Sequence, residues 1–367
     1  MDFALTEQQR AVAELAGALF ADFAGAEQLS RHEAGGEPWL AALYRELANA
    51  GLIGLLLNET HGGAGLGWLE LALVLEQQGR TLAPAPLWNT ALTARAVAEF
   101  GDADFAATTL PSLLNGAAVA ALAPPLSGAA ICAEHCAEGL RLNGTVSGVA
   151  FGAQADWLLL PVQLQSEARL ALVARDSAGL GIVDGCFTDR QPMARITFDA
   201  VTINARQLLG AGADHNWLSE RVSLCVAALQ LGVVGEALTQ TSTYLSERRQ
   251  FERALGSFQG VALRAADGFI DTENLRLQVW QLAECLDRQL PGTGAAACAK
   301  WWACEAGHRV SHTAQHLHGG LGADISYPIH RYFLWSRALE ITLGGAQAQL
   351  ARLGDWLADE PDAGVLL

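Results

Sequence analysis

Between about Gly116 and Ala213 the chain is written in short β-rich runs, and on both sides of that stretch its apolar residues recur at helical spacing. Side chains repeat about every 3.6 residues on a helix and every second residue on a strand, so one element type cannot bury both patterns. The runs are Leu140-Arg141-Leu142, Trp157 to Val162, Leu170 to Val173, and Ala194 to Phe198. They are separated by turn residues, and Asn143-Gly144 reads as a hairpin turn. Turns at intervals of roughly ten residues predict a small antiparallel barrel or sandwich. The chain therefore reads as helices, then a β domain, then helices: mainly α with a central β domain, divided at 1–115, 116–213 and 214–367.

The flanking helices carry their own start and stop signals. Thr6-Glu7-Gln8-Gln9 fits a capping box, in which hydroxyl and amide side chains satisfy each other's backbone groups. Val12, Leu15, Leu19 and Phe20 continue it as a stripe, and Leu40, Leu43, Tyr44 and Leu47 make a second helix stopping at Gly51. Leu69 to Gln78 and Thr90 to Phe100 follow, either side of Pro84-Ala85-Pro86. After the β domain come a long helix from Val222 to about Ser246, and others over Phe258–Leu290, Ala295–His316 and Ile329–Leu339. A final helix follows Gly344-Gly345, so a C-terminal helical bundle is expected.

Composition narrows the function classes. A net charge of −16 argues against nucleic acid or an anionic membrane, since both demand a basic face. Hydrophobic residues at 51% against 17% charged describe a well-buried globular chain, with no unbroken run of eighteen apolar residues. No secretory signal is evident, and seven cysteines, an odd number, fit a reducing cytoplasm better than a disulfide framework. Cys132 and Cys136 flank His135, but no second ligand cluster accompanies them, so no metal is expected. The glycines of Thr60-His61-Gly62-Gly63-Ala64-Gly65-Leu66-Gly67 lack the preceding strand that a phosphate loop needs and read as a helix-to-helix loop.

One stretch suggests a ligand. Glu247-Arg248-Arg249-Gln250-Phe251, with Gln259 beyond it, places arginines beside an aromatic and two amides. A guanidinium is a planar fork of donors that stays charged, which suits a diphosphate.

These segments, in this order, resemble the acyl-CoA dehydrogenase family across essentially the whole chain. Leu52-Ile53-Gly54-Leu55-Leu56-Leu57 with His61-Gly62-Gly63 looks like the family's N-terminal signature, and Arg248 to Gln259 looks like its Arg-x-x-Phe-Gly…Gln segment. His318-Gly319-Gly320-Leu321-Gly322 with Pro328 and Arg331 is similar to its Gly-Gly-x-Gly loop, and Ala338 to Gln349 lies where its C-terminal active-site loop falls. The resemblance implies FAD-dependent α,β-desaturation of an acyl-CoA thioester: a glutamate takes the α-proton and the β-hydrogen leaves as hydride to the flavin. It also implies that Arg248, Gln250, Phe251, Gln259, His316, Gly319 and Gly320 face an FAD held mainly by a neighbouring subunit.

Departures from the family pattern are equally specific. The two positions the family uses for its base are Leu343 and Val222 here, and neither side chain can abstract a proton. Glu220 and Glu340 are the nearest acids. The flavin-ring signature expected near 120–130 reads Ala121-Leu122-Ala123-Pro124-Pro125-Leu126-Ser127-Gly128-Ala129-Ala130, and Val149-Ala150-Phe151 stands where a Trp-Ile-Thr segment belongs. Glu252 replaces a glycine and Gly345 a threonine. Keeping the half-site for a neighbour's FAD while lacking its own resembles one subunit of the heterotetrameric bacterial enzymes of steroid and cholate breakdown. The expected partner is thus a homologous catalytic subunit that carries most of the acyl-CoA site. A self-sufficient homomer using Glu220, and a flavin-free scaffold on the same fold, remain the alternatives.

Overall fold

The computed structural model describes residues 4–125 and 131–360. Leu126 to Ala130, the second half of the expected flavin-ring segment, lie outside the described residues. The helices and strands follow the order read from the sequence: α1 (Glu7–Phe23), α2 (Ala26–Gly35), α3 (Ala41–Asn49), α4 (Trp68–Thr81), α5 (Leu87–Phe100) and α6 (Ala103–Leu114). Then come β1 (Ala120–Leu122), β2 (Ile131–Cys136), β3 (Gly139–Ala150), β4 (Trp157–Leu164), β5 (Glu167–Ala174), β6 (Leu180–Cys186) and β7 (Pro192–Ile203). Helix α7 (His215–Glu247) leads into a two-stranded ribbon, β8 (Arg249–Gln250) and β9 (Arg253–Ala254), followed by α8 (Gln259–Asp287), α9 (Thr293–His318), α10 (Ile329–Ile341) and α11 (Ala346–Asp359). Thr6 caps α1 in the expected reciprocal box with Gln9.

The chain divides into two compact units. One comprises Leu29–Gly67 and Pro84–Arg221 and holds the sheet. Its strands run β1-β4-β2-β3-β7-β6, with β5 pairing the other side of β4. The expectation of a purely antiparallel β domain is corrected, because β1 and β2 share one edge of β4 and both run parallel to it. The hairpin turn also moves. Asn143-Gly144 lies inside β3, at a register shift against β7, and the Asn143 side chain accepts from the Ala200 amide. The β2–β3 reversal comes at Ala137-Glu138, so the Asn-Gly pair serves a bulge. In the loop after α3, a Cβ on Gly63 would fall 2.2 Å from the Leu57 carbonyl and 2.4 Å from that of Gly54. That glycine permits the loop to fold onto itself, so no phosphate role is needed to explain it.

The other unit runs up to Gln28, then Trp68–Ala83, then from Val222 onward. Here α9 is buried around most of its circumference, from Ala295 to Leu317. Small residues allow that: a Cβ on Gly294 would strike the Trp356 ring at 2.5 Å, and one on Gly307 the Gln230 side chain at 2.8 Å. Helices α4 and α7 meet backbone to backbone, with Gly79 against the Leu229 carbonyl and Gly232 against the Glu76 carbonyl. Glu76, buried in α4, accepts two bonds from Arg276 of α8 at 2.9 and 3.1 Å. By length and composition alone α7 is apolar enough to cross a membrane, but 78% of that window is buried within the structure.

The α4–α7 crossing makes a sharp contrast between two glycines. A Cβ on Gly232 would lie 2.0 Å from the Glu76 carbonyl oxygen, whereas one on Gly235 meets nothing nearer than 4.0 Å. Gly232→Ala should lower stability by about 1–3 kcal/mol through backbone displacement. Gly235→Ala should raise it by up to about 1 kcal/mol through helix propensity. Denaturant midpoints of the two variants test this, and equal midpoints would remove the claim of backbone contact.

Candidate functional site

At the end of α7 the backbone makes a compact corner. The Arg248 amide donates to the Tyr244 carbonyl at 2.8 Å, and the Leu255 amide donates back to the Arg248 carbonyl at 2.9 Å. Between them β8 and β9 pair as a two-residue hairpin whose turn residues are Phe251 and Glu252. Both have left-handed φ, +51° and +66°, the pattern of a turn that usually takes asparagine and glycine. Glu252, standing where the family has glycine, therefore holds a conformation costing about 1 kcal/mol or more for a residue with a Cβ. The turn aims Phe251 outward, at 86% exposure.

Neighbouring side chains brace the corner. The Arg253 guanidinium lies 3.8 Å above the Phe258 ring, and Arg249 donates to the Glu252 carbonyl at 3.0 Å. Arg248 differs from both: it is exposed, and among the described residues no hydrogen bond or ion pair engages its guanidinium. Gln250 and Gln259 are exposed as well, and Gln259 opens α8 with no side-chain cap on its first turn. The start of a long helix carries unsatisfied amides and the positive end of the dipole, both favourable to an anion.

The second cluster sits at the end of α9. His318, 2% exposed, stacks on Tyr244 with ring centroids 4.5 Å apart and 21° between planes, tying the end of α7 to the end of α9. Its Nδ1 lies 2.8 Å from the Ala314 carbonyl, so Nδ1 carries the proton and donates. Nε2 is buried with no partner among the described residues, and burial pushes the ring's pKa down. Gly319 has φ +61°, and no atom lies within 4 Å of where a Cβ would sit on Gly319 or Gly320. The space over that loop is open, and His316 is exposed beside it. Tyr244 and Arg253 carried no sequence signal, and His318 was visible only as the first residue of the glycine-loop motif, because the stacking of these side chains is geometry that spacing does not reveal.

The resemblance assigns the family's base to Leu343 or Val222. Leu343 is buried, with φ +64°, followed by Gly344 at +82°. The fully buried Gln349 donates to the Leu343 carbonyl at 2.7 Å and holds the turn closed. The loop geometry is present and its side chain is aliphatic. Val222 is 2% exposed in α7. Glu340 pairs with Arg337 and lies 3.6 Å from His308. Glu220 lies 3.5 Å from Arg221, whose guanidinium stacks 4.4 Å over Trp217; burial lowers that guanidinium to about 10 while Glu220 supports its charge.

In the sheet, Phe151 has φ +58° and is 2% exposed, packed edge-on against Trp39 at 6.0 Å. It is an element of the core. On β2, strand alternation turns His135 to the face opposite Cys132 and Cys136, and no cluster of three metal-ligating side chains forms among the described residues.

The acyl-CoA dehydrogenase N-terminal domain family matches residues 6–117, and the corresponding C-terminal domain family matches residues 216–358. Acyl-CoA dehydrogenase FadE27 of Mycobacterium tuberculosis is 36% identical, covering 87% of this chain and 88% of that protein. Among solved structures, a chain of the Tcur3481-Tcur3483 steroid acyl-CoA dehydrogenase, G363A variant, is 40% identical, with a TM-score of 0.91 over 96% of this chain and 98% of that one. A chain of the ChsE4-ChsE5 complex of Mycobacterium tuberculosis is 33% identical, with a TM-score of 0.94 over 98% of this chain and 100% of that one.

His318 makes a pH prediction for the fold. Its pKa is lowered on folding, so below about pH 6.5 the unfolded chain binds a proton that the folded ring resists. Stability should therefore fall as pH drops through that range. His318→Gln should flatten this part of the stability curve, measured as denaturation midpoints from pH 7.5 down to about 5; an unchanged slope would assign the effect to other groups.

Proposed function

The chain belongs to the acyl-CoA dehydrogenase family, and from that premise we propose that it is the non-catalytic subunit of a heteromeric acyl-CoA dehydrogenase. Its role is to complete the FAD site of a homologous subunit that carries the base and most of the acyl-CoA pocket. The observation that carries this reading is Leu343: the left-handed turn of the active-site loop is kept, buried and held by Gln349, with a side chain that cannot take a proton. Val222 repeats the loss at the other family position.

The residues present fit an FAD diphosphate. Arg248 offers an exposed, unengaged fork, the start of α8 offers amides, and the Gly319-Gly320 loop leaves room for close approach. When bound, FAD accepts the hydride lost by the acyl chain. This chain's part would be to bind and orient: Arg248 would neutralise phosphate charge, Gln250 and Gln259 would supply amide hydrogen bonds, and the exposed Phe251 at the hairpin tip would offer an apolar contact. His316 and the Gly319-Gly320 loop would complete the set of residues toward the cofactor.

An assembled partner is supported by the surface of α8. Leu263, Phe269, Ile270 and Leu277 are each between 44% and 59% exposed there, an apolar face suited to a second helical bundle. Two of the similar solved structures are complexes of two named chains, ChsE4-ChsE5 and Tcur3481-Tcur3483, the latter a steroid enzyme. A steroid side-chain CoA is accordingly the proposed substrate class.

Purifying the chain alone and with its co-expressed homologous partner tests the proposal through the visible spectrum. Flavin absorbance is expected only in the pair, and Arg248→Ala should remove most of it, a loss of about 1.5–3 kcal/mol for a charge-assisted bond. Glu220→Gln should leave turnover intact. Turnover lost with FAD retained in that variant would make this chain a self-sufficient enzyme, and no flavin in either preparation would make it a scaffold.

A further inference from the structure

Lys300 is the only lysine in a chain whose other permanently charged basic residues are arginines, and it is fully buried, at 0% exposure, in the first half of α9. One helical turn later stands Cys304, 1% exposed, with its sulfur 3.0 Å from Lys300 Nζ. Both groups converge on one acceptor, the Glu340 carbonyl near the end of α10, at 3.0 Å from Nζ and 3.3 Å from Sγ. An amine and a thiol are thus held in contact, dry, and oriented by a shared carbonyl.

We propose that Lys300 and Cys304 form a peroxide-responsive modification site that closes into a covalent sulfur–nitrogen link. Hydrogen peroxide first oxidises the Cys304 thiol: the O–O bond breaks, an S–O bond forms, and the products are a sulfenic acid and one water. The Lys300 lone pair then attacks Sγ; the S–N bond forms, the S–O bond breaks, and the departing hydroxide leaves as water with a proton from nitrogen. The sum is one amine, one thiol and one peroxide giving one sulfenamide and two waters. Sulfur loses two electrons and the peroxide gains them.

Two features favour closure over further oxidation. Burial pushes the Lys300 pKa down, which favours the neutral, nucleophilic amine, and pushes the Cys304 thiol up, so that thiol waits on local opening to react. The amine already touches the sulfur, so the sulfenic acid meets an internal nucleophile before a second peroxide arrives. The exposed Cys132 and Cys186 have no lysine to meet, because the chain has no other. Peroxide reaches the buried pair through local opening, so these surface thiols react first and report the dose.

A single lysine makes the test direct. An endoprotease that cuts after lysine should cut the denatured chain once, between Lys300 and Trp301, and a lysine whose Nζ is bonded to sulfur should resist it. The full-length native chain, with its partner if they co-purify, is treated with peroxide, denatured without reductant, and digested. The expected result is loss of the cut, with an uncut peptide about Lys300–Cys304 lighter by two hydrogens. Dithiothreitol before digestion should restore both the cut and the thiol. Cys304→Ser, and wild-type chain denatured before peroxide, should be cut as fully as untreated protein. The proposal is overturned if treated native chain is still cut while Cys304 is recovered as thiol or as sulfinic acid. It is overturned equally if Cys304→Ser acquires the same resistance.

Discussion

The burial of α9 around most of its circumference is the constraint on which its unit depends. A helix in that position cannot project large polar groups without satisfying them internally, and its sequence of alanines, glycines and small polar residues reflects this. Gly294 and Gly307 give way to Trp356 and Gln230, and Gln230 in turn donates to Ser336, which donates to the Gly307 carbonyl. Lys300 fits the same rule, with its amine satisfied by a carbonyl at the end of α10 and by a sulfur. The ends of such a rigid helix are fixed, and at one of them His318 stacks on Tyr244.

That stack brings two modest motifs together. The Arg248 corner and the Gly319-Gly320 loop belong to different helices, and each alone is an unremarkable helix end. Tyr244 lies one turn before Arg248, and His318 immediately precedes Gly319. Holding those two rings face to face sets an exposed guanidinium, an uncapped helix start and an open glycine loop at adjoining helix ends. In a chain of net charge −16, Arg248, Arg249 and Arg253 outnumber the neighbouring Glu247 and Glu252, so the corner is locally less acidic than the chain as a whole.

Much of the helical architecture was legible because long amphipathic periods are hard to mistake. The apolar stripe of Val12, Leu15, Leu19 and Phe20 and the cap at Thr6 marked α1, and the run through Val222–Val234 marked α7. Two helices were not legible: α2 is polar throughout and buries only Leu29, and α6 carries Pro111 inside it. The sheet was harder for a physical reason. Strand pairing is decided between distant segments, so nothing local announces that β1 and β2 run parallel to β4. Asn143-Gly144 misled because a glycine with positive φ serves a bulge as well as a turn. At the site, residues carried over from the family motif were visible as types, whereas the strain at Glu252 and the stack under His318 exist only in the folded chain.

The same contrast bears on the turn at Leu343. A loop under selection for proton abstraction would need a carboxylate at Leu343; a loop kept for architecture needs only its turn. The left-handed pair Leu343-Gly344 reverses the chain between α10 and α11, and Gln349, buried and bonded to the Leu343 carbonyl, secures that reversal from the first turns of α11. Helix α11 in turn carries Trp356 onto Gly294 at the start of α9. Unfolding the turn would therefore uncover one end of the helix whose other end holds the Tyr244–His318 stack. That chain of contacts runs through the Leu343-Gly344 backbone and Gln349, and it asks for no carboxylate at position 343.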